Sequence, residues 1–356
     1  MTETIAPYSV APGVDAALAA YSAPATLGFG IVPAPVMFSA EYRDGAWQPG
    51  ELLPFGPISI MPNSRTVQFA ESIFEGMKAY RARPAPPHLF RPLVNCARFA
   101  ASAARIGMPA VPEALFLQGI KALVSACADV VPDREGASLY LRPILFSTDP
   151  GYSVANSNAY RYMVLASPSD PYSSGPMRAR IERDDVRAAR GGVGFAKTGG
   201  NYAAAMRATS RAVQEGYGVA LWLDPVERRL IDEFSGMNMF AVIDGELHTP
   251  LLTDSILKGV TRDSVITLAH SQGLVVHERP IAIDELLTDI AIGRCTEVIA
   301  TGTAAIVTSV SELGDADGRI YRLSESLVSD GLRSALLAIQ TREGPDSFGW
   351  TMDIDD

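Results

Sequence analysis

Apolar and polar residues alternate over Met37–Arg43 and again over Trp47–Leu53, on either side of Asp44-Gly45, the pattern of two strands joined by a turn. Thr66–Arg81 reads as extended from its start, passes Phe74-Glu75-Gly76 and continues as a strand through Met77–Tyr80. Asn95–Ile106 has helical spacing closed by Gly107, and Pro112–Val130 is an amphipathic helix opened by proline. Ser138–Phe146 and Tyr160–Ala166 are apolar strands, whereas residues 1–35, rich in Ala, Pro and Gly, read as an irregular arm. Ser167 to Pro176 is dense in Ser, Pro, Asp and Gly and reads as a linker.

Beyond the linker the pattern restarts. Ala179–Arg190 carries many charges and reads as mostly solvated, and Gly191–Gly200 holds five glycines. Helices are expected over Asn201–Gln214, Thr261–Ser271, Asp284–Ile292 and Ser324–Gln340. Strands are expected over Val219–Leu223, Met239–Ile243, Thr296–Ala300 and Ala305–Val310. The reading is α+β in two domains, 1–167 and 178–356, with 168–177 as the loop between them.

Forty acidic residues against thirty basic ones leave a net charge of −10, which argues against a nucleic-acid partner. No apolar run approaches the ~20 residues of a membrane span, and Met1 to Gly13 lacks the basic start and apolar core of a secretory signal. Cys96, Cys127 and Cys295 are odd in number and form no CxxC, which suits a reducing, cytoplasmic setting. The histidines, His88, His248, His270 and His277, show no ligand spacing, so no metal is expected.

The basic residues are unevenly divided: 26 are arginine and only Lys78, Lys121, Lys197 and Lys258 are lysine. Arginine stays protonated and forms no imine in water, so covalent amine chemistry has four candidates. Lys121 falls on an amphipathic helix, where a long cation belongs on the wet face. Lys78, on a strand, could pair with Glu75 or face solvent, and Lys258 fits a surface turn. Lys197 differs, because its glycine-rich segment carries no other charge between Arg190 and Arg207. Glycines admit close approach of a ligand, and an apolar setting favours the reactive neutral amine.

Anion sites accompany it. Gly259-Val-Thr-Arg262 opens a helix with Thr261 placed to cap it, and free amides at such an end bind phosphate. Thr301-Gly-Thr-Ala304 offers a second tight turn between strands. Arg98, among Ala, Phe and Cys, needs a buried anion or carboxylate as partner. Glu233, beside Phe234, could hold a protonated ring nitrogen, although alone it would read as a solvated loop residue.

In this order, Phe74–Arg81, Asn95–Arg98, Ser138–Pro143, Lys197–Tyr202, Glu233–Phe240, Gly259–Arg262 and Thr301–Ala304 resemble the branched-chain amino acid aminotransferases, fold-type IV pyridoxal-phosphate enzymes. The resemblance implies a two-domain fold with its active site at the domain interface, a homodimer, and amino transfer between Leu, Ile or Val and 2-oxoglutarate. It implies a small N-terminal domain and a large cofactor-binding C-terminal one. It implies that Lys197 forms a Schiff base with pyridoxal 5'-phosphate and then moves the proton. By the same resemblance Tyr202 meets the ring phenolate and Glu233 the ring nitrogen, while Arg98, the Val260 and Thr261 amides and Thr303 grip the phosphate. Thr303 and Ala304 amides would take the substrate carboxylate. Phe74, Tyr140 and Tyr172 would line the side-chain pocket, with Arg142 facing the distal carboxylate of glutamate. Phe69 stands where the family usually has tyrosine, so an altered substrate preference is expected. Ala305 and Thr308 stand where some animal relatives carry a redox CxxC. A relative using another amine and an inert cofactor-binding protein are the alternatives; Lys197, Tyr202 and Glu233 together argue against the second.

Overall fold

The computed structural model describes residues 5–82, 84–172 and 175–355; Met1–Thr4, Arg83, Ser173, Ser174 and Asp356, two of them in the expected linker, lie outside it. The chain divides into two compact units. One is Met1–Tyr172 with Ala196–Gly199 and Ile339–Asp356, and the other is Ser173–Phe195 with Gly200–Ala338.

The first unit is built on a mixed sheet. Its strands run, in spatial order, Ser9–Val10, Glu51–Pro54, Val36–Arg43, Tyr160–Ser169, Ser138–Ser147, Met77–Tyr80, His88–Phe90 and Thr351–Asp353. Period-two alternation gives this sheet two chemically different faces. Leu139, Leu141, Met77, Ala79, Leu89, Val164 and Ala166 turn to one side and join Phe99, Leu115, Phe116 and Ile120 of the helices Pro92–Arg105 and Glu113–Ala126 in the core. On the other face, register pairs Lys78 with Tyr140 and Phe74 with Ile144, and Arg142 lies between them along the same strand. Phe74, Lys78, Tyr140 and Arg142 therefore share the face turned away from the packed helices.

Several expectations are corrected here. The stretch after Ser64 is a short helix, Arg65–Phe69, ended by Ala70 at φ 54°, and not an extended run. The arm holds a helix, Val14–Ala20, and the strand Ser9–Val10, which pairs with Glu51 and Leu52. Thr351–Asp353 pairs antiparallel with His88–Phe90, so the C-terminal residues belong with the first unit, which becomes the larger of the two. Nothing in a local pattern signals so remote a pairing.

The second unit carries the sheet Ile231–Phe234, Val219–Leu223, Met177–Glu182, Ile306–Gly314, Cys295–Gly302, Asn238–Ile243, Glu246–Pro250 and Val276–Arg279. Its apolar core joins Ile181, Leu221, Phe234, Met239, Val298 and Val310 to Leu286 and Leu287 of the helix Ile283–Ala291. Ala179–Arg190 reads as mostly solvated, yet its first four residues belong to an interior strand, Met177–Glu182, parallel to both its neighbours. Its charges are neutralised in place: Arg180 meets Glu182 at 3.2 Å and Glu215 at 2.7 Å, and Arg211 also bonds Glu182. A mutually paired charge row can be buried where single charges cannot.

Candidate active site

In the first unit, Lys197 is fixed through its backbone. Its carbonyl accepts from the Phe74 N–H at 3.0 Å, and its own N–H donates to Ser102 Oγ at 3.0 Å. Thr198 adds a bridge to Ile73 and an Oγ1 bond to the Ser72 carbonyl at 2.7 Å. The Lys197 amine sits 4.7 Å from the Phe74 ring centroid, and the Arg142 guanidinium lies at the same 4.7 Å from that ring. Phe74 thus carries both cations, and Arg142 also donates to Tyr140 Oη at 2.8 Å. Phe29, absent from the sequence reading, completes the wall: its ring is 5.0 Å from Tyr140 and 5.4 Å from Tyr172. Gly76 makes room for this, since a Cβ there would lie 2.5 Å from the Tyr140 hydroxyl.

Arg98 finds the carboxylate partner that its apolar helix demanded. Glu75, wholly buried, takes Arg98 Nε on Oε1 at 2.7 Å and Arg98 Nη2 on Oε2 at 2.8 Å, with Asn95 Nδ2 also on Oε2 at 2.8 Å. Burial pushes this carboxyl up, but the charge and hydrogen bond of Arg98, the charge of Lys197 and the Asn95 bond together bring it below its usual value. Lys78 is buried rather than solvated, with its amine 5.6 Å from the Phe29 ring. Lys121 is half-buried on its helix and Lys258 is exposed.

In the second unit Asn238 ties Glu233 to the loop leading into the helix Val260–Ser271, whose first residues are Val260 and Thr261. Glu233, on the strand Ile231–Phe234, is 3% exposed and accepts on Oε2 from the Leu257 N–H at 3.0 Å and from Asn238 Nδ2 at 3.3 Å. Asn238 also donates to the Leu257 carbonyl at 2.9 Å. A Cβ on Gly259 would fall 1.9 Å from Asn238 Oδ1, so only glycine fits there. Gly259, not Thr261, is the N-cap residue of the helix Val260–Ser271, and no side chain caps that end. A buried helix start without a side-chain cap has backbone donors for an anion. Thr303 and Ala304 lie in the tight connection between Cys295–Gly302 and Ile306–Gly314. The Thr301 hydroxyl just before it is buried without a partner. Tyr202 is half-buried on the helix Gly199–Gln214. A carboxylate, an uncapped helix start, an orphan hydroxyl and a glycine that admits no Cβ suit a group bearing both a basic ring nitrogen and a phosphate.

The histidines are arranged in a way the sequence did not disclose. His248 and His277 face each other across parallel strands with ring centroids 4.7 Å apart, and His277 Nε2 is 2.7 Å from Glu246 Oε2. These three could hold a metal ion. Arg279 Nε donates to His248 Nδ1 at 3.0 Å, and burial, then the charges of Arg279 and His277, lower the pKa of His248. A neutral, stacked histidine that already accepts from arginine suits packing better than ligation.

Comparison with known proteins adds an independent line. Residues 72–313 match the family described as amino-transferase class IV. A branched-chain-amino-acid transaminase of Bacillus subtilis is 40% identical over 343 residues, covering 93% of this chain and 95% of that one. A branched-chain-amino-acid aminotransferase of Mycobacterium tuberculosis is 40% identical over 334 residues, covering 91% of each. The crystal structure of a branched-chain aminotransferase from Thermoproteus uzoniensis, solved with norvaline, superposes with a TM-score of 0.73 at 26% identity, over 88% of this chain and 99% of that one. Extent and identity together leave one assignment: the chain belongs to the class IV aminotransferase family.

Proposed function

We propose that this aminotransferase exchanges amino groups between leucine, isoleucine or valine and 2-oxoglutarate, with pyridoxal 5'-phosphate as its cofactor. The carrying observation is Lys197, whose backbone is bonded on both sides and whose amine stands over Phe74. The cofactor would supply an aldehyde for the amine and an electron-withdrawing ring. Lys197 is then the covalent anchor and, once released by the incoming amine, the base that moves the substrate proton. Glu233 is assigned to the ring nitrogen and Tyr202 to the phenolate. Arg98, held by Glu75, the Val260 and Thr261 amides and Thr303 are assigned to the phosphate. The amides of Thr303 and Ala304 are assigned to the substrate carboxylate. Phe74, Tyr140 and Tyr172 offer an apolar side chain a wall, while Arg142, anchored on Tyr140, can meet a second carboxylate.

The reading extends to a cytoplasmic homodimer. Val67, Phe69, Tyr152 and Val154 are exposed on two segments joined by the Gly151 N–H to the Asn63 carbonyl, an apolar surface suited to a second copy. Burial pushes the Cys96, Cys127 and Cys295 thiols up to about 12, which suits unreactive cysteines in a reducing compartment. Phe69, without a tyrosine hydroxyl, favours a second reading in which the same chemistry serves another amine.

Borohydride reduction of the holoenzyme should leave a pyridoxyl group on the Lys197 peptide, and Lys197→Ala should lose both adduct and amino transfer. A label on Lys78, Lys121 or Lys258 would refute the assignment. A panel of amino donors with 2-oxoglutarate decides the substrate, and Leu, Ile and Val ranking below an aromatic or unbranched amine would favour the second reading.

A further inference from the structure

Glu233 has a cation beside it that the resemblance does not mention. Arg187 Nε lies 2.9 Å from Glu233 Oε1, with the two side chains 10% and 4% exposed. The Arg187 N–H is not aimed at that oxygen and has no hydrogen-bond acceptor, so the contact is a charge pair rather than a hydrogen bond. The guanidinium is held from its other end, where Nη2 donates to the Gly194 carbonyl at 3.1 Å and to the Ser255 carbonyl. Gly194 is packed too tightly to admit a Cβ, which would fall 2.6 Å from Ser255 Cα. Both carbonyls are backbone atoms, so the position of the guanidinium is set by the chain itself.

We propose that Arg187 is a positioning residue, the resident counter-charge that keeps Glu233 ionised and aimed whether or not a cofactor is bound. A carboxylate this deeply buried and without a cation would be neutralised or would destabilise the fold. A neutral carboxylic acid there could not hold a positively charged ring nitrogen. Arg187 supplies its charge to Glu233 through a close contact that is not a hydrogen bond. Arg187 anchors on the two carbonyls through Nη2 while Nε faces Glu233, two directions that the single nitrogen of lysine cannot serve in the same way. What Glu233 faces rests on the cofactor reading above; the pairing itself does not.

The test compares melting temperatures of the full-length wild type, Arg187→Gln, Arg187→Lys, Glu233→Gln and the Arg187→Gln/Glu233→Gln double variant, each with and without pyridoxal phosphate. Cofactor-free Arg187→Gln should melt well below the cofactor-free wild type, and the double variant should regain most of that loss. Arg187→Lys should fall between the wild type and Arg187→Gln. With cofactor, the Arg187→Gln deficit should shrink, because the protonated ring replaces the missing charge. If Arg187→Gln does not fold alone, folding of the double variant is the same result. A double variant no more stable than Arg187→Gln, or equal losses with and without cofactor, would show a packing role and overturn the proposal. Failure of pyridoxal phosphate to protect even the wild type would count against the cofactor reading instead, and the cofactor-free comparison would still decide the role of Arg187.

Discussion

Replacing Glu75 by Gln removes one negative charge from a site with no solvent exposure and turns one of its two acceptors into a donor. Arg98 Nε and Nη2, Asn95 Nδ2 and the Gly76 N–H all point at the present carboxylate, at 2.7, 2.8, 2.8 and 3.1 Å. Breaking one half of a buried ion pair costs about 3–5 kcal/mol. For a unit of this size that corresponds to a fall in melting temperature of roughly 6–20 °C. The carboxyl is held below its usual value, so its contribution is present above the unfolded pKa, near 4.5, and fades as pH falls through the lower folded value. The Glu75→Gln deficit should therefore be full at pH 7 and shrink below about pH 4. Arg98, released from its fork, should also hold phosphate less well, so pyridoxal phosphate should dissociate more readily. Differential scanning calorimetry at several pH values, with cofactor titrations by absorbance, tests both parts. A Glu75→Gln protein that melts within about 2 °C of wild type at pH 7 would refute the argument, since the pair would then contribute under ~1 kcal/mol. In Glu75→Leu/Arg98→Met, where no charge is left unpaired, stability should return while cofactor affinity does not.

Asp232, buried beside Ser255, has a pKa raised to about 6, chiefly by burial. A raised carboxyl loses stability as pH climbs from its unfolded value, near 3.8, to the folded one, and the full penalty stands above that. Asp232→Asn should therefore stabilise the protein at pH 8, by at most about 2–3 kcal/mol, by roughly half as much at pH 5, and hardly at all at pH 3.5; thermal melts at the three pH values check the sign. Gly259→Ala drives a methyl into Asn238 Oδ1. The strain should be about 1–3 kcal/mol, with a larger proportional loss of pyridoxal-phosphate affinity, measured by equilibrium titration, because Asn238 bonds both Glu233 and the Leu257 carbonyl.

Elements whose signal is local could be read from the chain: Ser138–Ser147, Val219–Leu223 and Glu113–Ala126 fall where alternation or helical spacing puts them. The misreadings share a cause. The start of Ala179–Arg190 looks solvated because Arg180 and Glu182 are charged, and only Arg211 and Glu215, some thirty residues on, make their burial possible. Glu75 looked like a partner for Lys78, three residues away, yet its carboxylate takes both arms of Arg98 and the amide of Asn95, on a different element. The demand that Arg98 find an anion was legible, because an isolated arginine in an apolar helix admits few alternatives. Which anion was not, since that depends on tertiary contact. Arg187 was lost in the same way, grouped with Arg183 and Arg190 as part of a charged run.

Burying a charge is unfavourable, so where this chain does it repeatedly the positions carry information. Around the hydrophobic cores the interior is apolar, and in the row of Arg180, Glu182, Arg211 and Glu215 each charge is answered by another. Glu75–Arg98 and Arg187–Glu233 differ, because each sits next to groups that serve no packing purpose. Beside the first is the Lys197 amine, whose charge Glu75 feels. Beside the second is Asn238, which ties Glu233 to the loop leading into an uncapped helix start. An ion pair kept only for stability could be exchanged for leucine and methionine at little loss. A pair kept to aim a guanidinium or hold a carboxylate ionised could not, because the apolar substitute preserves volume and loses direction. The two apolar exchanges, at 75/98 and at 180/182, should therefore part company: both leave a folded protein, and only the first releases the cofactor.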